Sequence, residues 1–129
     1  MKYVIMFTST PALDAQVAPE VAQDVYGRVY QWFQDNDAAI DDSGAELQPV
    51  ETATTLRSGA GAGAGAGGVV VVVDGPFTEA REAVGGFSII DVPDLDAAIA
   101  LARSWPMLEL AGTSVEIRPV VTDYSQCGQ

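Results

Sequence analysis

The 129-residue chain has no histidine, one cysteine and only six basic side chains, set against 18 acidic ones. Without histidine it lacks the one side chain that titrates near neutrality, and the commonest metal ligand with it. Histidine-based acid/base catalysis and His-ligated metal centres are therefore excluded. The single cysteine, Cys127, falls within the last three residues. It has no internal disulfide partner and is too few for a thiolate metal cluster, so a reducing cytoplasm is the default expectation. The shortage of bases leaves a formal charge of -12 and a sequence pI near 4.1. Such a surface repels phosphate backbones, which excludes direct binding to nucleic acid. No apolar run approaches the ~20 residues that span a bilayer. The short Tyr3–Phe7 stretch behind Lys2 is also too brief for a secretory h-region. The chain is thus expected to use no metal, cofactor or membrane.

What is present suits one folded domain. Hydrophobic residues make up 48% of the chain and the mean hydropathy is +0.17, as expected of a globular protein with a core. Residues 2–8 combine β-branched and aromatic types and read as a strand. Pro19 and Glu20 suit a first helical turn, and Val21, Val25, Val29, Trp32 and Phe33 follow at helical spacing to about Gln34. Asp35-Asn36-Asp37 and Asp41-Asp42-Ser43-Gly44 read as helix end and turn. Residues 45–57 read as a strand interrupted at Pro49. Next comes a Gly-Ala alternation from Gly59 to Gly68, holding six of thirteen glycines, and then a valine strand, Val69–Val73.

The simplest reading of these segments is a hairpin joined by a flexible loop at 58–68. A phosphate-cradling loop is the alternative. It would run into a helix, whereas these glycines run into a strand with no lysine behind them. Thr78 to Val84 suggests one helical turn broken at Gly85-Gly86, and residues 87–92 a further strand. Asp94 is a helix N-cap, with Leu95, Ala98, Ile99 and Ala102 as the buried face, Arg103 in the last turn and Pro106 beyond it. Residues 113–120 form a closing strand.

The order β-α-β-β-(turn)-β-α-β matches a ferredoxin-like α+β plan with an added strand, over residues 1–120, followed by a polar tail at 121–129. Two helices cover only one face of such a sheet. Tyr3–Phe7, the valine run and much of residues 87–92 are apolar on both faces, so the uncovered face predicts a homodimer.

Asp74-Gly75-Pro76-Phe77, followed by Thr78-Glu79, Arg81-Glu82 and Gly85-Gly86-Phe87, resembles the DGPF signature of the YCII-related family. Three further blocks agree in order: residues 52–57 with the family's second strand, 94–98 with its second helix and 114–119 with its closing strand. The resemblance implies a dimeric α+β barrel, two ferredoxin-like sheets packed face to face. It also implies an accessory or regulatory role through a small ligand or a protein partner, with an alternative sigma factor as the suggested partner. Relatives in the wider superfamily use a His–Asp pair in a cleft for lyase-like or hydrolytic chemistry. With no histidine, only the aspartate half carries over, at Asp74, and a His-independent lyase or hydrolase is the rival reading.

Asp74 heads the candidate site residues. It ends a strand, and the following Gly75-Pro76 restricts the backbone that aims its carboxylate. At the edge of an apolar cleft such a group serves as acid or base, while in an Asx-type turn it merely binds its own backbone. Arg57 and Arg118, two of five arginines, would hold a ligand carboxylate or enolate bidentately, or else pair internally with Glu79, Glu82 or Glu116. Tyr3 and Phe77 complete the candidate ligand contacts, with a core role as the alternative. The Asp35/Asp37 and Asp41/Asp42 pairs lack the spacing of a calcium loop and read as solvated surface.

Overall fold

The computed structural model describes residues 1–58, 70–75 and 82–126. The Gly-Ala loop beyond Ser58, Val69, Pro76, Phe77, the start of the expected helical turn at Thr78 and the tail from Cys127 lie outside the described residues. Strand β1 (Lys2–Ser9) runs into a short helix α1 (Pro11–Asp14) and then into α2 (Pro19–Asp35). Strands β2 (Ile40–Glu46), β3 (Thr54–Ser58), β4 (Val70–Asp74) and β5 (Ala83–Asp91) follow, then α3 (Leu95–Arg103) and β6 (Ser114–Pro119). Four strands form one antiparallel sheet in the order β2-β5-β1-β6, while β3 and β4 pair as a separate two-stranded sheet. The chain is therefore an α+β domain with antiparallel sheets. The larger sheet is open, so a single chain does not make a closed barrel.

The core lies on the sheet face that α2 and α3 cover. Tyr3 and Ile5 of β1 and Ile90 of β5 meet Trp32, Ala98 and Trp105 there. Ile5 and Ile90 are fully buried, each worth about 1.5–3 kcal/mol of transfer from water. Helix α2 starts at Pro19 as expected, with Val25 and Trp32 buried. Its first predicted core residue, Val21, is 44% exposed. Helix α3 is capped as expected, Asp94 Oδ1 accepting a hydrogen bond from the Ala97 amide at 2.9 Å. Its buried face differs from the expected one. Ala98 and Ala102 pack inward with Ala97 and Leu101 beside them, leaving Leu95 and Ile99 exposed. Small alanines let the helix sit close to the sheet, and the larger side chains are turned to the rim.

The expected strand over 45–57 is two strands in two sheets. Ala45 and Glu46 end β2, Leu47 donates its amide to Gly85 O at 2.8 Å, and a 3-10 turn at Val50–Thr52 follows Pro49. The residues Asp41–Gly44, expected as a turn, lie within β2. Turn chemistry is still used there, inside the strand. Gly44 adopts φ +68°, its amide donates to Asp42 Oδ1 at 2.7 Å, and the pairing register shifts between Asp42 and Ala45. A side chain on Gly44 would lie 1.9 Å from the Phe87 carbonyl oxygen. Val84 to Gly86, expected as helix and breaker, are strand residues of β5, with the register shifting opposite Phe7 and Thr8. There the glycines permit a close approach, since a Cβ on Gly86 would lie 2.9 Å from Ala45 O.

Trp105 closes the core from the loop after α3. Its ring stacks on Phe7 with centroids 3.9 Å apart and meets the edges of Trp32 at 5.0 Å and Phe33 at 5.8 Å. Truncating Trp105 to alanine is expected to cost about 3–5 kcal/mol in urea unfolding. Ile99→Ala, on the outward side of α3, is expected to cost roughly 1 kcal/mol or less. Equal losses would contradict the observed orientation of that helix.

Candidate functional site

Helix α2 carries two adjacent stripes. Val25 and Trp32 face the core, while Ala22, Tyr26, Val29, Tyr30 and Phe33 follow one another along the neighbouring side. That second stripe forms one wall of a cavity of about 1040 Å³. Phe7 and Thr8 of β1 and residues 83–87 of β5 form the opposite wall. The bulged end of β2 and the following turn, residues 43–51, close a third side. Trp105, Met107 and Leu110, together with Pro11, Asp14 and Val17, complete the lining. A volume of this size lies at the upper end of those that take drug-sized ligands, and the mixed aromatic and polar lining is typical of such sites.

The aromatic rings that fill the core also surface here. Phe7, Phe33 and Trp105 line the cavity, and Trp32 stands behind them, edge-on to Phe33 at 5.1 Å. Trp32 is fixed by its indole N–H, which donates to Ser104 Oγ at 2.8 Å. Ser104 in turn donates to Leu101 O at 2.7 Å. These bonds hold the rings in place without a ligand, so the wall is largely preorganised. The polar lining comprises Asp14 at the end of α1, Glu46 at the end of β2, Glu51 in the 3-10 turn, and Tyr26 and Tyr30 of α2. Burial, followed by the negative fields of Glu46 and Asp14, holds the Tyr26 phenol above its ordinary value. At neutral pH it is thus a neutral hydrogen-bond donor.

A second, shallower depression of about 640 Å³ lies between α2 and the loop after α3. Its central cation is already engaged, Arg28 pairing with Asp24 at 3.1 Å and closely with Glu109. The pair ties α2 to the 3-10 turn at Pro106–Glu109.

The residues singled out from sequence are not gathered in the cavity. Tyr3 is a core residue at 3% exposure, its hydroxyl 3.7 Å from Met1 Sδ. Arg118 lies exposed on β6 and donates to Glu116 at 2.5 Å, one of the internal pairings considered for it. Arg57 and Asp74 lie on the β3–β4 hairpin, where Arg57 is opposite Val71 and Asp74 opposite Thr54. That register separates them by three residue steps, roughly 10 Å along the strands. Gly75 adopts φ +103°, donates its amide to Ala53 O at 2.6 Å and accepts from Thr55 Oγ1 at 2.7 Å. The backbone after Asp74 is therefore as constrained as the sequence suggests. Asp74 itself is exposed, and its carboxylate makes no hydrogen bond among the described residues. Phe77 and Pro76 lie outside those residues. Asp35 accepts from Gln31 at 2.7 Å and Asp41 pairs with Lys2 at 3.2 Å, as surface carboxylates do. Among the described residues no three Asp, Glu or Cys side chains group in a way that would hold a metal ion, and no helix is long and apolar enough to cross a membrane.

The domain is thus an open antiparallel α+β sheet covered on one face by helices, with a ligand-sized cavity where α2 meets the bulged ends of β2 and β5. The profile of the YCII-related domain matches residues 1–122, and the chain belongs to that family. An uncharacterized protein of Rhizobium meliloti (strain 1021) is 38% identical over 76 residues, spanning 59% of this chain and 56% of the relative's own length. Among solved structures, 5-chloro-2-hydroxyhydroquinone dehydrochlorinase of Burkholderia phenoliruptrix AC1100, in complex with 2,5-dihydroxybenzoquinone, overlaps 90% of this chain and 91% of its own. That similarity has a TM-score of 0.44 at 19% identity.

Because the neutral phenol is the favoured form in the folded state, Tyr26 stabilises the fold below its ordinary pKa. That contribution is lost as pH rises through the raised value. By NMR titration the Tyr26 ring is expected to ionise above the ordinary tyrosine range, with a midpoint that falls in Glu46→Gln. A midpoint unmoved by that substitution would show that Glu46 does not face the phenol.

Proposed function

We propose that this YCII-related protein binds a small, largely apolar molecule in the cavity beside α2, and that it does so as a homodimer of ferredoxin-like chains. The observation that carries the binding reading is the cavity wall itself: Phe7, Phe33 and Trp105, held by their own packing, beside Tyr26 and Tyr30. Phe7 and Phe33 are half-buried and Trp105 almost fully so, a preformed apolar wall against which an apolar ligand body can lie. The strand order β2-β5-β1-β6 with both helices on one face supports the ferredoxin-like description. Val4, Met6 and Ile89 alternate with core residues and so face away from the helices. That face supports sheet-to-sheet packing of two copies, the arrangement that would complete a barrel.

A catalytic role for Asp74 is a second reading. Its support is a carboxylate at the end of β4 that no hydrogen bond among the described residues occupies, beside a Gly75 held at φ +103°. An accessory role alongside an alternative sigma factor rests on the family resemblance, and a cytoplasmic setting on the single cysteine. With a charge of -12, such a link would run through a protein surface rather than DNA.

Thermal-shift titration with 2-phenylethanol, a neutral aromatic probe, tests the binding reading. The probe is expected to raise Tm in the wild type and in Asp74→Ala, and to raise it much less in Ala22→Trp, whose ring projects from the α2 wall into the cavity. Equal shifts in wild type and Ala22→Trp would contradict the assigned site. Loss of the shift in Asp74→Ala would move the site to the hairpin. In multi-angle light scattering the wild type is expected at twice the 13.5 kDa chain mass and Met6→Glu at the single-chain mass. A wild type that runs as one chain would refute the dimer.

A further inference from the structure

The cavity beside α2 is charged on one side only. Asp14 enters from α1, Glu46 from the end of β2 and Glu51 from the turn that follows. Among its described lining residues there is no lysine or arginine, and the described ion pairs engage none of these three carboxylates. The rings of Tyr26 and Tyr30, 54% and 68% exposed, line the same cavity, and their faces attract cations by their quadrupoles. Phe7, Phe33 and Trp105 supply its aromatic lining. The chain's net charge of -12 adds a long-range field of the same sign.

Resting on the reading of this cavity as the binding site, we infer that its ligand class is a small organic cation: an amine carried on an aromatic or apolar body, the body lying against Phe33 and Trp105 and the ammonium held by Asp14, Glu46 and the tyrosine faces. The inference opposes the one sequence suggests at Arg57 and Arg118, where an arginine would hold an anionic ligand. Those arginines lie elsewhere, and a carboxylate or enolate entering this cavity would meet three like charges and no described counter-charge. Burial raises the Tyr26 phenol most, and the fields of Glu46 and Asp14 raise it further, so both carboxylates act on that hydroxyl. The protonated phenol then offers its oxygen as acceptor to an ammonium, alongside the two carboxylates.

A matched set of probes separates charge from shape. 2-Phenylethylamine, 2-phenylethanol and 3-phenylpropionate share a phenyl ring and a short chain but present a cation, a neutral hydroxyl and an anion. In calorimetric titration the amine is expected to bind about tenfold more tightly than the neutral probe, with the anion weaker still. The amine's advantage is expected to shrink by about threefold or more in Glu46→Gln and in Asp14→Asn. It should also shrink between about 50 mM and about 500 mM NaCl, as screening demands. Ala22→Trp and Tyr30→Ala, the latter at an exposed position, control for general attraction of amines to an acidic surface. If amine binding survives both unchanged, the inference is overturned. If the neutral and anionic probes bind as tightly as the amine, the charge selectivity fails while the site reading stands. If none of the three binds, the site reading itself fails.

Discussion

The rest of the molecule depends on where Trp105 is held. Its ring stacks flat on Phe7 of β1 and takes the edges of Trp32 and Phe33 from α2, joining the sheet, the long helix and the loop after α3 at one point. Offset-stacked and edge-to-face contacts of this kind add about 0.5–1.5 kcal/mol per pair beyond area burial. They also fix directions. With the Trp32 indole tied to Ser104, α2 cannot roll on the sheet without breaking ring contacts and a hydrogen bond together. Its adjacent stripe of Ala22, Tyr26, Tyr30 and Phe33 thereby lines the cavity beside the bulged strand ends, with both tyrosines still exposed. Core packing and cavity geometry are consequences of one cluster.

A second constraint sits opposite the helix. Strands β2 and β5 are irregular where they meet the cavity, through Gly44, Gly85 and Gly86 and their shifted registers. Regular strands would bring side chains into this space. The bulges instead bring backbone close to backbone and leave volume between sheet and helix. The segments that border the volume carry three carboxylates and, among the described residues, no bases. An apolar lining with one sign of charge is the outcome.

Much of the architecture was legible in sequence, because periodicity reports burial. The stripe from Val25 to Trp32, the Asp94 cap and the N-terminal strand with apolar residues on both faces all follow from side chains repeating at helical or strand spacing. Where the pattern misled, a local signal served a different purpose. Asp42-Ser43-Gly44 has turn chemistry and makes a bulge, while Gly85-Gly86 reads as a breaker and is a close strand approach. The α3 face is rotated because alanines, not the larger Leu95 and Ile99, set the helix-to-sheet distance. The cavity was harder to see. Tyr26 and Tyr30 do repeat at helical spacing beside the core stripe, exposed aromatics whose position marks the cavity side of the helix. Asp14, Glu46 and Glu51 come from three separate elements, and only the folded chain brings them together. The reading that favoured Asp74 followed a local motif, whereas the cavity is assembled from distant segments.

The proposed ligand site lies between α2 and the bulged strand ends, against the aromatic cluster. The most direct measurement is a set of intermolecular NOEs from bound 2-phenylethylamine to the protein. The account predicts contacts from the probe's ring protons to the Trp105 indole and Phe33, and from its methylene beside the nitrogen to the Tyr26 ring. Contacts instead to the Val70–Val73 strand, or to Tyr3 and Arg118 across the sheet, would contradict it.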